Sequence, residues 1–209
     1  MSVADATDSV LGQRRTEAEA AGRLEWRRDQ ASSGAVALAG LALLAARPFL
    51  SPQAASVPAM GALFVMVGAL SLWGPASRLP LGESGPPVGA PVVLGVGLAA
   101  VAAAAVAAGP IVPLRLTAWA IPMNTLAAVA EEAFFRRLLY GRLARFGVVA
   151  AVAGSAMAFA LVHVPAYGVA AFPVDLGAGL LLSWQRWASG RWTVPAATHA
   201  MANLLAVLR

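Results

Sequence analysis

The chain has 209 residues, of which 59% are hydrophobic and only 12% are charged, and its mean hydropathy is +0.72. Soluble domains carry about 25% charged residues, so the composition argues against an ordinary soluble protein and predicts an integral membrane protein. The net charge of +5 does not predict nucleic-acid binding, because most arginines stand at the boundaries of apolar segments. Since the chain contains no cysteine, disulfides and thiolate metal sites are excluded.

The N-terminal residues 1–33 differ in composition from the rest of the chain. They mix Glu and Arg and lack the continuous apolar core of a cleaved signal peptide. We therefore predict a polar cytoplasmic tail over residues 1–33 and a transmembrane domain over residues 34–209.

Seven apolar segments follow, and a membrane-spanning helix needs roughly 20 mostly apolar residues. The predicted spans are 34–50, 57–74, 91–109, 116–139, 148–165, 166–184 and 193–208. Backbone polar groups must be satisfied internally in lipid, which predicts an all-α fold, a polytopic transmembrane helical bundle of about seven spans. Pro173 and Asp175 interrupt the sixth segment, and we expect Asp175 to cap a broken or re-entrant helix.

The arginines indicate the orientation of this bundle. With the N-terminus in the cytoplasm, twelve arginines fall on the cytoplasmic side, and three, Arg47, Arg115 and Arg209, fall outside. This bias follows the positive-inside rule and predicts a cytoplasmic N-terminus. The absence of lysine and the heavy use of Ala, Gly and Val suggest a bacterial source, and hence a multi-pass protein of the bacterial inner membrane.

A few ionisable side chains of the C-terminal half lie within the apolar segments: Glu131, Glu132, His163, Asp175 and His199. An ionisable group in a bilayer costs a few kcal/mol and indicates function by default. The two histidines are the only ones in the chain. The bland alternatives are an interfacial charge cluster for the Glu-Glu and Arg-Arg pairs and interhelical hydrogen bonding for the histidines.

The two adjacent glutamates have different surroundings on a helix, where residues four apart share a face. Glu132 can pair with Arg136, whereas Glu131 faces Phe135 and has no local cation. Desolvation then disfavours the charged form of Glu131, which is the behaviour expected of a general base.

Two further helices each present a pair of candidate site residues on one face. Phe159 and His163 share a face of the fifth segment, and His199 and Asn203 share a face of the seventh. A bundle could bring both pairs to Glu131 around one water-filled pocket. Residue counting places Glu131 and His199 in the cytoplasmic half of the bilayer and His163 near the outer end of its span. This meeting therefore needs a tilted fifth span, a later start of that span, or a deep pocket.

Three short motifs carry a resemblance to a known family. "EEAFFR" (residues 131–136), "FALVH" (residues 159–163) and "HAMAN" (residues 199–203) resemble, in this order, the EExxxR, FxxxH and HxxxN motifs of the CPBP family (CAAX protease and bacteriocin-processing, Abi). The resemblance covers about residues 117–205. Arg137 departs from the family pattern, in which glycine often follows the arginine.

The resemblance implies an intramembrane glutamic endopeptidase that hydrolyses a peptide bond of a membrane-associated peptide or protein substrate. The types of the candidate site residues favour a mechanism without a cofactor. Glu131 would be the base and His163 would help to activate the water. His199 and Asn203 would stabilise the oxyanion. Glu132 and Arg136 would hold the first motif in shape, with Phe159 supporting the second. We expect the lipid bilayer as a partner and no nucleic acid.

Three alternatives stay open from the sequence. A zinc-dependent protease could use Glu131, His163 and His199 as ligands, although the chain has no HExxH motif and Asn203 is a poor zinc ligand. A non-catalytic immunity or binding protein could use the same scaffold. A proton-coupled transporter could use the intramembrane Glu and His as a relay, although no repeat of the hydropathy pattern is evident.

Overall fold

The computed structural model describes residue 32 and residues 34–49, 56–73, 88–109 and 118–208. Apart from Ser32, the predicted tail lies outside the described residues, as do Arg115 and Arg209. The chain divides into two compact units, Met1–Val36 and Ala37–Arg209, and all packing described below is within the second unit.

Every regular element in the described part of the chain is helical, which confirms the all-α prediction. The main helices are α1 (Gly34–Phe49), α2 (Ser56–Trp73), α3 (Ala90–Ala107), α4 (Ala120–Glu132), α5 (Tyr140–Leu143), α6 (Val148–Tyr167), α7 (Phe172–Ser189) and α8 (Thr193–Leu208). A π-helical turn, Ala133–Leu139, joins α4 to α5, and 3₁₀ turns lie at Ala144–Phe146 and Val169–Ala171.

The polarity of the described residues is inverted relative to a soluble protein. Large apolar side chains such as Val106 and Val149 are 81% and 80% exposed, whereas Glu132 and Arg136 are completely buried. Two helices, α3 and α6, are long and apolar enough to cross a membrane by length and composition, and α1, α2 and α8 are shorter apolar helices. The number of spans and the orientation of the N-terminus stay predictions.

Helix α4 lies at the centre of the bundle, where it contacts α2 and α8. Helix α6 contacts α7 along much of its length, and α3 contacts both α7 and α8. The close approach of α6 and α7 depends on Gly179, since a Cβ added there would lie 3.0 Å from the backbone of Ala156. The central position of α4 places both glutamates in the interior.

The sixth predicted segment, 166–184, has the wrong bounds. Helix α6 continues through Pro165 to Tyr167 and ends at Gly168, whose φ of 82° is a conformation suited to glycine. Helix α7 begins only at Phe172, because Pro173 stands in its first turn, where the missing N–H breaks no hydrogen bond. Helix α7 is therefore continuous, and Asp175 does not cap a broken helix: no side-chain cap hydrogen bond is present at its N-terminus.

The π-helical turn begins directly after Glu132. The winding of this turn is wider than that of an α-helix, and two of its carbonyl groups receive side-chain donors. The Ser155 hydroxyl donates to the Phe135 carbonyl at 2.9 Å, and Arg186 Nε donates to the Arg136 carbonyl at 3.0 Å. Arg137, the departure from the family pattern, donates to the Ser71 carbonyl on α2. These contacts fix the first motif against α2, α6 and α7.

Candidate active site

The predicted site residues line two adjoining cavities. The first, of about 200 Å³, is lined by Glu131, His163, His199 and Asn203 together with residues of α1, α2 and α4. A cavity of this size holds several waters, since each occupies about 30 Å³ in the liquid. The meeting of three separate motifs around one cavity, inferred from the sequence as a possibility, is present in the structure.

Glu131 is 3% exposed, and its two carboxylate oxygens have different partners. Oε1 lies 2.7 Å from Nη1 of Arg47. Oε2 lies 3.7 Å from Nε2 of His163 and 4.0 Å from Nε2 of His199. The second oxygen is therefore directed toward both imidazoles at distances slightly too long for direct hydrogen bonds.

The contact with Arg47 corrects the expectation that Glu131 has no nearby cation. Sequence spacing within one helix could not reveal it, because Arg47 lies on α1, 84 positions away. Arg47 is 8% exposed, although the topology prediction placed it at the outer boundary of the first span. The buried carboxylate of Glu131 is therefore stabilised by a direct ion pair with Arg47.

Glu132 contacts Arg136, the partner that the sequence spacing predicts. Its Oε2 lies 3.1 Å from Nε of Arg136, and both side chains are fully buried. Its Oε1 accepts a hydrogen bond from Nδ1 of His199 at 3.0 Å. Arg136 also donates from Nη2 to the carbonyl of Gly179 at 3.2 Å. Glu132 therefore connects the first motif to the histidine of α8.

His163 is oriented by its own helix and by two rings. Its Nδ1 lies 2.7 Å from the carbonyl of Phe159, and because a carbonyl can only accept, Nδ1 carries the proton. The centroid of the Phe159 ring lies 4.4 Å from that of the His163 ring, and the Tyr167 ring stacks on the His163 ring at 5.7 Å. In the neutral imidazole, Nε2 is then an unprotonated acceptor directed at Glu131.

Asn203 lines both cavities. Its Nδ2 donates to the backbone carbonyl of Asn124 at 3.2 Å, and one of its two amide hydrogens is thereby used. The second hydrogen remains available to a group in the cavity.

Asp175, which was not among the predicted site residues, lines the second cavity. This cavity, of about 230 Å³, shares His163, Tyr167, His199 and Asn203 with the first. Oδ2 of Asp175 is buried without a hydrogen-bond partner. Its position as an ionisable residue in an apolar segment could have indicated a place in the site. The sequence prediction assigned it a capping role instead, because Pro173 stands two residues before it.

The depth of Glu131 in the bilayer stays a prediction, but the helix bounds bear on it. The helical run that contains it does not end at residue 139 but continues through Phe146. Glu131 lies about 16 Å from the start of this run at Ala120 and about 22 Å from its end, at 1.5 Å per residue. It is therefore nearer the start of α4, on the side where the predicted topology placed His163.

The zinc alternative can be compared with the arrangement of donors. No group of three or more His, Asp or Glu side chains within the described ranges is placed to hold a metal ion. Oε1 of Glu131 is bound by Arg47, whereas Oε2 is directed toward Nε2 of both histidines. A mechanism without a metal stays a prediction.

Comparison with known proteins adds a family to this geometry. Residues 113–205 match the family model described as "Type II CAAX prenyl endopeptidase Rce1-like". This segment is Rce1-like. The match contains all three motifs and confirms the resemblance to CAAX proteases of the CPBP family. Neither a curated protein nor a solved structure matches the chain.

The Rce1-like match covers somewhat less than half of the chain. It indicates a peptidase that is an integral membrane protein and acts on a membrane-associated protein substrate. Helices α1, α2 and α3 lie outside the matched segment, and α1 nevertheless contributes Arg47 to the first cavity.

Proposed function

We propose that this protein is an intramembrane endopeptidase in which Glu131 activates a water molecule for attack on a peptide bond. The observation that carries the proposal is the direction of Glu131 Oε2 toward Nε2 of His163 and of His199, at 3.7 and 4.0 Å. The Rce1-like match over the same residues supports the peptidase class.

The space between Glu131 and His163 suits a water molecule. The carboxylate accepts hydrogen bonds, and the neutral His163 ring, with its proton on Nδ1, also accepts at Nε2. Two acceptors 3.7 Å apart are stabilised by a molecule that offers one hydrogen to each. Water does so, and its oxygen lone pairs then point into the cavity toward a bound carbonyl group.

The reaction follows from these positions. The water oxygen bonds to the carbonyl carbon of the substrate while Glu131 takes a proton, and the carbonyl oxygen becomes an oxyanion. The second amide hydrogen of Asn203 can be donated to that oxyanion. The C–N bond then breaks as Glu131 returns the proton to the leaving amine, which yields a carboxylic acid and an amine.

His199 can also donate a hydrogen bond to the oxyanion in this scheme. Its Nδ1 donates to Glu132, so Nε2 can donate to the oxyanion only in the imidazolium form. The buried carboxylate of Glu132 stabilises that form by its charge. Glu132 therefore supports the proposed oxyanion site through His199 while it neutralises Arg136.

The substrate we propose is a membrane-associated peptide or protein, and the protein would act in a bacterial inner membrane as a multi-pass enzyme. Next to the two cavities an apolar groove of about 570 Å³ runs between α3, α7 and α8 and is lined largely by alanines. The groove shares Val101, Ala178, Leu181 and Ala202 with the second cavity. An apolar segment of a substrate would be accommodated there.

The test is a comparison of new peptide termini in the membranes of a bacterial host that expresses the wild type, Glu131→Gln or His163→Ala. Glutamine keeps an oxygen that can accept from Arg47 but is not a base, so we expect the termini to disappear. Loss of a general base lowers rates about 10²- to 10⁴-fold. Arg191→Gln, an exposed position between α7 and α8, is the matched control and should retain every terminus.

Equal expression and thermal stability of the variants must accompany the loss. An unchanged set of termini in Glu131→Gln would contradict the assignment of the base. Termini that are absent from the wild type as well would favour a binding or immunity protein.

A further inference from the structure

We propose that Arg47, which lies outside the Rce1-like segment, is a positioning residue that holds Glu131 and His163 in the arrangement needed for water activation. Its catalytic meaning rests on the proposed function, but the positioning itself can be measured without a substrate. Nothing in the three motifs assigns a role to α1.

The first argument is that Arg47 binds only one of the two carboxylate oxygens of Glu131. Nη1 of Arg47 binds Oε1 at 2.7 Å, and a charged hydrogen bond of this length is a strong one. With Oε1 bound, Oε2 is left toward Nε2 of His163 and of His199. Without the guanidinium, the carboxylate could rotate about its terminal torsion, which is broad, and the direction of Oε2 would be lost.

The second argument is a closed ring of contacts that reaches His163 from the other side. The Arg47 guanidinium lies over the ring of Tyr167 at 5.4 Å. Tyr167 stacks on His163 with an angle of 18° between the ring planes, and His163 faces Glu131. The contacts run from Arg47 to Glu131, to His163, to Tyr167 and back, so one guanidinium restrains both the acid and the imidazole.

The third argument is that Arg47 is poorly satisfied for a purely structural residue. It is 8% exposed, and its Nη2 is buried without a hydrogen-bond partner. An unsatisfied buried donor costs about 1–3 kcal/mol. A residue that only holds two helices together would contribute more stability with an apolar side chain. A residue that must orient a carboxylate and contact an aromatic ring needs the planar guanidinium.

The charged groups around Glu131 do not replace Arg47. Arg136 is engaged with Glu132 at 3.1 Å, and Asp175 in the second cavity carries the same charge as Glu131. The histidines approach Oε2 rather than Oε1. The orientation of Glu131 therefore depends on α1.

The experiment uses the two histidines as probes, because the chain has no others. The full chain is labelled with ¹⁵N-histidine in detergent micelles, and the ring nitrogen resonances are compared for wild type, Arg47→Ala, Arg47→Lys and the control Arg191→Ala. We expect Arg47→Ala to move the His163 resonances and Arg47→Lys to move them less. Arg191→Ala should move none. Millimolar guanidinium ion added to Arg47→Ala should return the His163 resonances toward the wild-type positions.

A purely structural role of Arg47 predicts a different result. If Arg47→Ala lowered the melting temperature but left the His163 resonances unchanged, the positioning role would be refuted. Shifts that guanidinium ion cannot reverse would refute it too, because they would indicate a general rearrangement of the site.

Activity is measured as the rate at which the new peptide termini found with the wild type form in the membranes. We expect Arg47→Ala to slow their formation about 100-fold, the order of loss for a misplaced catalytic group, with partial recovery in Arg47→Lys. Full activity of Arg47→Ala beside an inactive Glu131→Gln would overturn this inference alone. Full activity of both variants would overturn the proposed function as well.

Discussion

Substitution of Glu132 by glutamine tests the buried part of the site, because one amide cannot satisfy both of its partners. His199 Nδ1 needs an acceptor at 3.0 Å, and Arg136 Nε needs one at 3.1 Å. Glutamine offers one acceptor oxygen, and its NH₂ group must then face a donor. The change also removes the carboxylate that neutralises the fully buried Arg136.

The expected destabilisation is about 3–5 kcal/mol, the usual loss when one partner of a buried ion pair is removed. For a chain of this size, about 2–4 °C of melting temperature corresponds to each kcal/mol, so we expect a fall of roughly 6–20 °C. Intrinsic fluorescence of the six tryptophans in detergent follows the unfolding.

Glu131→Gln is the matched control, because its partner Arg47 lines the first cavity and keeps an acceptor. Its melting temperature should fall less. The double variant Glu132→Gln with Arg136→Met should recover part of the stability of Glu132→Gln, because no uncompensated charge is left. A melting temperature of Glu132→Gln equal to that of the wild type would refute this account of the ion pair.

Two further predictions concern the helix contact and the metal question. Gly179→Ala should destabilise the protein by about 1–3 kcal/mol, because the new Cβ would lie 3.0 Å from the Ala156 backbone. Gly177→Ala, two residues away with nothing within 4 Å of the new Cβ, should be neutral or stabilising by up to about 1 kcal/mol; equal melting temperatures for the two variants would contradict the close approach of α6 and α7. Treatment of the purified protein with EDTA or 1,10-phenanthroline should leave the formation of termini unchanged, with metal content measured on the same sample. Loss of activity that added Zn²⁺ restores would support the zinc alternative.

The helices themselves were largely predictable from the sequence. Apolar segments bounded by Pro and Gly gave bounds within a few residues for α3 and α8, since burial and membrane insertion both act on such blocks. The start of α7 was missed because Pro173 was taken as an interruption, although proline is favoured in a first turn. The π-helical turn after Glu132 was not predicted, because no residue pattern specifies the wider winding.

The site was predictable only where its members share a helix or a motif. The pairing of Glu132 with Arg136 follows from their spacing. The pairing of Glu131 with Arg47 and the approach of Asp175 to the second cavity depend on how separate helices meet. Single-sequence spacing contains no information about such meetings, which explains why α1 was not expected in the site.

The π-helical turn also determines where the length of this helical run can change. Its wider winding absorbs one residue more than regular α winding, so deletion of one residue within Ala133–Leu139 would restore regular winding and leave the segment beyond it in nearly the same phase. Deletion of one residue from the regular part of α4 would instead rotate everything beyond it by about 100°, and Tyr140 would leave the cluster in which it packs with Ala144 and Ala151. The turn is therefore the part of this run in which a change of length by one residue disturbs the following segment least.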